Sequence, residues 1–304
     1  MEWSLGKART GDTWWHGPLL FALGAAWGLQ LTLLKISAGS SLGELGILSL
    51  SMVLLSLIYL AVLAANKAWF RPTRRHLKFF VVSSTFGTIL PMGGVLLIAD
   101  HLSAGLIVLV SEALTPVFTV LIAFLLGTEL LSARRLTAVA LALAGVGLAL
   151  WPALAGTSRD QLDWLLIFAV VPLAYAIDCI YVAGCWPQDL RAIQVVTGEA
   201  IAAAAMTLPF WLLLEGTSGL PTTMGPGEWA ILAFVAVSFI EVYLYFYLLK
   251  TAGALFVSYG CFVSLFAGVL WGMSLLGETH PQSLWLAVAL VCLGLYLITA
   301  RRSA

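Results

Sequence analysis

Long apolar runs separated by short polar elbows fill the chain from about residue 18 to residue 300. Because an α-helix rises about 1.5 Å per residue, a run of about 20 residues crosses a hydrocarbon layer of roughly 30 Å. We predict ten transmembrane helices, at 18–38, 43–65, 79–99, 104–127, 133–152, 163–185, 191–214, 228–249, 254–277 and 283–300. No segment is left for a soluble domain, so the predicted fold class is an all-α integral membrane protein.

Composition agrees with this fold class and excludes other kinds of protein. Only 10% of the 304 residues are charged, against about a quarter in soluble domains. The 15 basic and 15 acidic residues balance, so nothing points to nucleic acid as a partner. The four cysteines lie in apolar runs, without the spacing of a zinc site or of a disulfide framework. We therefore expect no metal site and no cofactor, with the lipid bilayer and a small-molecule substrate as partners and the oligomeric state left open.

The basic residues predict the orientation of the chain, because cytoplasmic loops of membrane proteins collect Lys and Arg. With ten helices, one side carries Lys7, Arg9, Lys67, Arg71, Arg74, Arg75, Lys78, Arg134, Arg135, Arg191, Lys250, Arg301 and Arg302. The other side carries only Lys35 and Arg159. Both termini are therefore predicted to be cytoplasmic. The first run, 18–38, is too long for the hydrophobic core of a cleaved signal and is expected to remain as the first span.

A repeat of about half the chain length organises the sequence. Shifting the chain by that length lays Glu129 on Glu278, Gly145 on Gly294 and the AVAL at 138–141 on the AVAL at 287–290. Five helices separate the copies, and because five is odd the second copy enters the membrane upside down. We therefore predict two inverted five-helix repeats, 1–155 and 156–304. Inverted repeats are typical of secondary transporters, with the substrate site near the midplane between them.

The residues that carry these repeats also resemble a known family. They are Thr115-Pro116, Leu126-Gly127-Thr128-Glu129 and Ala144-Gly145-Val146 in the first half, Gly277-Glu278 and Leu293-Gly294 in the second, and Trp27-Gly28 with Lys35 in helix 1. Together they resemble the EamA branch of the drug/metabolite transporter superfamily. The resemblance implies a bacterial inner-membrane protein that moves small metabolites by alternating access, usually outward. The sequence departs from the family pattern at Thr128, which separates Gly127 from Glu129, and at Leu265, where the family usually has a proline.

Four acidic residues lie at membrane depth: Glu112, Asp178, Glu199 and Glu241. Insertion of a charged side chain there costs about 2.5–3.5 kcal/mol, so such residues are functional candidates. No Lys or Arg lies at comparable depth; Lys35 is expected near the outer end of helix 1, where it can snorkel or pair with Glu44. A carboxyl group in hydrocarbon without a base either holds a proton or pairs with a cation. Both outcomes suit a transporter, and interhelical hydrogen bonding is the structural alternative.

Glu112 is the strongest candidate because of its neighbour Pro116. Proline has no N–H group and crowds the carbonyl four residues back, which here is the carbonyl of Glu112. A kink, a free carbonyl, a carboxyl group and the hydroxyl groups of Ser111 and Thr115 therefore coincide within about one turn. Kinked helices at membrane depth are tolerated where they line a cavity. The alternative is that Thr115 and water satisfy the kink and nothing binds there.

We predict a substrate site that combines these acids with neighbouring aromatic and polar side chains. Its expected members are Trp27, Gln30, Glu112, Thr115, Tyr175, Asp178, Glu241, Tyr243, Tyr259 and Phe262. Aromatic faces beside an acid suit an amine or a quaternary ammonium group, and an amino acid is a further candidate substrate. Proton coupling is assigned to Glu112, Asp178 and Glu241, and hinges to Pro91, Pro116 and Pro172. Glu199 is expected to be structural, as are Glu129 and Glu278, which can accept hydrogen bonds from the N–H groups of the next helix.

Two other kinds of protein compete with the transporter hypothesis. Gly-Thr-Ser-Gly at 216–219 matches the GxSG motif of rhomboid-like intramembrane proteases. It lies in a predicted loop, however, and none of the four histidines falls within a predicted span. A membrane scaffold that transports nothing is the second alternative. We expect a transporter and not an enzyme, with export or import, and proton coupling or its absence, left open.

Overall fold

The computed structural model describes residues 15–127, 133–155, 159–216, 223–252, 257 and 260–299, and all regular structure in this part of the chain is helical. The helices are α1 (His16–Ser37), α2 (Glu44–Ala65), α3 (Arg74–Ser84), α4 (Leu90–Ile98), α5 (Ala104–Leu125), α6 (Ala133–Ala155), α7 (Arg159–Phe168), α8 (Val170–Cys185), α9 (Ala192–Phe210), α10 (Pro226–Thr251), α11 (Gly260–Leu276) and α12 (Gln282–Thr299). A π-helical segment, Thr85–Ile89, joins α3 to α4, and another, Trp211–Glu215, extends α9.

Many of these helices have the length and composition of membrane spans. Among the described residues, seven segments qualify: His16–Ser37, Glu44–Ala65, Arg74–Ile98, Ala104–Leu125, Asp163–Cys185, Ala192–Glu215 and Pro226–Tyr245. Three shorter apolar helices accompany them, at Leu136–Ala149, Gly260–Leu276 and Gln282–Gly294. Large apolar side chains such as Phe21 and Leu213 are exposed on the outside of the bundle. The all-helical prediction is confirmed, and the helices are compatible with a multi-pass membrane protein; the count of ten spans stays a prediction.

Helix interruptions lie near two of the three prolines that were predicted to be hinges. The π-helical segment ends one residue before Leu90-Pro91. The α7–α8 break falls at Ala169, three residues before Pro172, whose missing N–H cannot bond to the carbonyl of Phe168. By contrast, α5 continues through Pro116 without interruption. The hinge role of Pro91, Pro116 and Pro172 stays a prediction.

The helix termini meet at two ends of the bundle. One end, which we call the Glu278 end, contains Glu278, just before α12, and Glu228, at the start of α10. Here the Ser41 backbone N–H donates to Glu228 at 2.8 Å. At the opposite end, His76 lies 3.0 Å from Asp189, and Gln194 donates to the carbonyl of Ala68 (2.8 Å). Helix α3 begins at Arg74, five residues before the predicted start at 79, because Thr73 and His76 cap its first turn reciprocally. The contacts at each end join residues from both halves of the sequence.

Helices α6 and α12 pack on each other through reciprocal glycine contacts. A Cβ atom added to Gly145 would lie 2.9 Å from the carbonyl oxygen of Ala287, and one added to Gly294 would lie 2.8 Å from that of Ala138. The shift that lays Gly145 on Gly294 also lays Ala138 on Ala287. Each contact therefore joins the glycine of one copy to the alanine of the other. Such reciprocal contacts are typical of an interface with two-fold symmetry. Small residues allow this close approach of helix backbones.

Glu278 caps a helix in the other half of the sequence. Its carboxylate accepts from the backbone N–H groups of Ala104 (2.6 Å) and Gly105 (3.2 Å) at the start of α5. The sequence predicted that Glu278 accepts hydrogen bonds from the next helix, α12. This prediction is wrong, because the donors belong to α5. The chain turns back at Gly277, whose φ of +65° is one that glycine adopts easily, and this directs Glu278 toward α5. Glu129, its counterpart in the repeat, lies outside the described residues.

Lys35 belongs to the same cluster. Its Nζ atom lies 3.8 Å from Glu278 Oε1 and donates to the carbonyl of Leu102. The sequence predicted that Lys35 either snorkels or pairs with Glu44. In the structure its partners are Glu278 and Leu102, and not Glu44. The single lysine of α1 is thus held at the Glu278 end, away from the middle of the bundle.

We predict that His280 makes the stability of the protein pH-dependent. Its side chain is 5% exposed, with Nε2 3.4 Å from Glu278 Oε2. Burial lowers the pKa of His280, while the Glu278 carboxylate acts in the opposite sense. Since the unfolded chain then binds a proton more readily than the folded one, folding stability should fall as pH drops below the ordinary histidine value of 6.5.

Thermal unfolding of the purified protein across that pH range would check the prediction. The melting temperature of the wild-type protein should fall more steeply on acidification than that of the His280→Gln variant. Equal pH dependence in the two proteins would show that His280 does not contribute.

Candidate functional site

A cavity of about 480 Å³ lies between helices of the two halves of the sequence. Its wall includes residues from α1, α2, α4, α5, α8, α9, α10 and α11 and from the π-helical segment Thr85–Ile89. Of the predicted site residues, it brings together Trp27, Gln30, Glu112, Thr115, Tyr175 and Glu241. Its volume falls in the range of roughly 300–1,000 Å³ usual for small-molecule sites.

Glu112 projects from α5 toward α11. The hydroxyl group of Ser264, a fully buried residue of α11, donates to Glu112 Oε1 at 2.6 Å. The neighbouring residue Ser111 also lines the cavity. Its hydroxyl group is buried and has no hydrogen-bond partner in the described part of the chain. Sequence reasoning missed Ser264, although the repeat shift that lays Thr115 on Ser264 was a usable signal.

Glu241 connects α10 with α1. Trp27 donates from its indole N–H to Glu241 Oε1 at 2.7 Å, and one turn away the amide of Gln30 donates to the hydroxyl group of Ser238 at 3.0 Å. All four side chains line the cavity. These hydrogen bonds join a helix of the first half of the sequence to one of the second half.

Asp178 and Glu199 occupy different positions relative to the cavity. Asp178 accepts from Ser83 (2.8 Å) and lies directly behind Gly87, since a Cβ atom on that cavity-lining glycine would approach Asp178 Oδ2 to 2.6 Å. Glu199, expected from the sequence to be structural, is part of the cavity wall together with Tyr59. Helix α9 packs against α2 and α3, and this packing places Glu199 on the wall.

Two of the remaining predicted aromatic residues, Tyr243 and Phe262, are not among the lining residues of the cavity. Tyr243 is 44% exposed and packs edge-on against Phe239, with 5.1 Å between ring centroids. Phe262 is partly buried and packs in the apolar core. Tyr259 lies outside the described residues. The aromatic side chains on the wall include Trp27, Tyr59 and Tyr175.

The described wall of the cavity is acidic. It carries the carboxyl groups of Glu112, Glu199 and Glu241, and no Lys, Arg or His side chain is among its lining residues. Within the described residues, no group of three or more His, Cys, Asp or Glu side chains is placed to hold a metal ion. Without a base nearby, the arrangement can hold protons or bind an organic cation.

The acids of the cavity wall do not follow the repeat predicted from the sequence. The repeat shift lays Glu112 on Cys261 and Met92 on Glu241, and all four of these residues line the wall. Equivalent wall positions in the two halves thus differ in charge. At these two pairs of positions, the carboxyl group of one half is therefore not duplicated in the other.

Comparisons with known proteins show the fold alone. No protein-family model matches the chain, and no curated protein matches its sequence. One solved crystal structure, described only as a protein, is similar over 93% of this chain and 98% of its own, with a TM-score of 0.63 and 19% identical residues. That similarity supports the helical architecture and gives no information about function.

Proposed function

We propose that this protein is a secondary transporter that moves a small organic cation, by alternating access, across the inner membrane of a bacterium. The observation that carries the proposal is the cavity between the two halves of the sequence, with three carboxyl groups on its described wall and no basic side chain. A buried acidic cavity is costly in a membrane protein unless it serves a bound cation or a proton. Membership of the drug/metabolite transporter superfamily, with its EamA-type repeats, is part of the proposal.

Two further observations support a transporter built from inverted repeats. The reciprocal glycine contacts of α6 and α12 are those expected where two related halves meet about a two-fold axis. The seven long and three shorter apolar helices among the described residues fit ten spans. Repeats at 1–155 and 156–304 and cytoplasmic termini are parts of the proposal. Substrate sites of such transporters lie at the interface of the repeats. Export is the proposed direction, with Glu112, Asp178 and Glu241 as candidates for proton coupling.

Flux measurements in liposomes test the proposal. The purified full-length protein is reconstituted, and uptake of a cationic, a zwitterionic and an anionic metabolite is followed with and without a pH gradient. Saturable flux of the cation, absent from empty liposomes, is the expected result. If no solute moves faster than in empty liposomes, the transporter proposal is wrong, and a scaffold becomes the better explanation.

A further inference from the structure

We propose that the cavity selects diamines: one primary ammonium group binds at Glu112 and Ser111, and the second binds at Glu241. The inference rests on the proposed transport function and deepens it, because it assigns the substrate class and gives each acid a separate role.

The Glu112 subsite fits a primary ammonium group. Such a group has three N–H donors. The subsite combines the carboxyl group of Glu112 with the unpartnered hydroxyl group of Ser111, and both residues line the cavity. Ser111 is only 5% exposed, so its hydroxyl group cannot rely on bulk water for a partner. A quaternary ammonium group has no N–H donor and would leave that hydroxyl group buried without a hydrogen bond, which is costly.

The Glu241 subsite fits a second cationic group. Its carboxylate receives the indole N–H of Trp27, a neutral donor, which leaves its charge uncompensated. A carboxylate can accept several hydrogen bonds, so an ammonium group can bind beside the indole. The face of an indole also attracts cations. Glu241 lies on α10 and Glu112 on α5, so a substrate that bridges them contacts both halves of the sequence.

The wall between the acids excludes a substrate carboxylate. The described lining has no Lys, Arg or His to pair with it, and Glu199 adds a third acid. Leu31, Met52 and Phe234 also line the cavity and can contact an aliphatic chain. A diamine is therefore expected to bind more tightly than an amino acid of the same length, because the acids attract its second charge and repel a carboxylate.

Three four-carbon probes test the inference by calorimetric titration of the purified full-length protein. Each has a primary amine at one end, and the other end is an amine, a hydroxyl group or a carboxyl group. The diamine should bind about tenfold more tightly than the amino alcohol, because a charged ammonium group forms a stronger hydrogen bond with a carboxylate than a neutral hydroxyl group does. The amino acid should bind more weakly than the amino alcohol. The Glu241→Gln variant should bind the diamine and the amino alcohol equally.

A second variant tests the other end of the substrate. Ser111→Ala should weaken binding of the diamine more than binding of the same compound with its amines fully methylated. Equal affinities for the three probes in the wild-type protein, or a diamine preference that survives Glu241→Gln, would overturn the inference. If liposomes transport other cations while the diamine fails to bind, the diamine inference is wrong and the transporter proposal stands. If nothing is transported, the transporter proposal itself fails.

Discussion

Glu112→Gln is expected to slow cation transport by about tenfold to a hundredfold while leaving the protein folded. The substitution removes the charge that would pair with the cation, and hydrogen bonds to charged groups contribute about 1.5–3 kcal/mol. The amide oxygen of glutamine can still accept from Ser264, which donates to Glu112 Oε1 at 2.6 Å. The helix contact between α5 and α11 should therefore survive. Loss of transport would then report on the charge and not on packing.

The measurement is the initial rate of cation uptake into liposomes, with equal amounts of each variant reconstituted. Glu44→Gln is a matched control, because Glu44 is an exposed acid in the first turn of α2 and does not line the cavity. This control should transport at the wild-type rate. Both variants should unfold at the wild-type temperature. Full transport activity in Glu112→Gln would remove Glu112 from the proposed mechanism.

Sequence patterns were sufficient to predict the all-helical fold and the two main acids of the cavity. The length of the apolar runs predicted helices because each run has to span a layer of fixed thickness. Glu112 and Glu241 were predicted because an acid without a nearby base is rare and costly in such a run. Both line the cavity, together with the predicted Trp27 and Gln30. These inferences needed only the position of a residue along its helix.

The rotation of each helix about its axis could not be predicted in this way. Glu241 and Tyr243 were both expected at the site, but residues two positions apart lie about 200° apart around a helix. Only Glu241 faces the cavity, and Tyr243 is exposed. Most of these helices have apolar residues on every face, so the hydrophobic pattern hardly distinguishes the face toward the cavity from the others. The same ambiguity concealed Ser264 and Ser83, which donate to Glu112 and Asp178, since a serine in an apolar run looks like any small packing residue.

The crossing of α1 and α11 connects helix packing to the site. A Cβ atom added to Gly28 of α1 would lie 2.6 Å from the backbone nitrogen of Gly268 and 2.7 Å from the carbonyl oxygen of Ser264. These are backbone atoms of α11, so they cannot rotate aside as a flexible side chain can. Trp27, next to Gly28, donates to Glu241, and Ser264 donates to Glu112. The spacing of the two backbones therefore positions the donors of both acids.

Gly28→Ala is accordingly expected to lower the free energy of unfolding by about 1–3 kcal/mol, the usual cost of inserting a methyl group into a closely packed core. Transport should fall as well, because separating α1 from α11 moves Trp27 relative to Glu241 and Ser264 relative to Glu112. Thermal unfolding of the purified variant and its uptake rate in liposomes measure the two effects. Gly147→Ala is the matched control, since Gly147 is a helical glycine of α6 with nothing within 4 Å of an added Cβ atom. If Gly28→Ala were as stable and as active as this control, the backbone contact between α1 and α11 could not be what fixes the site.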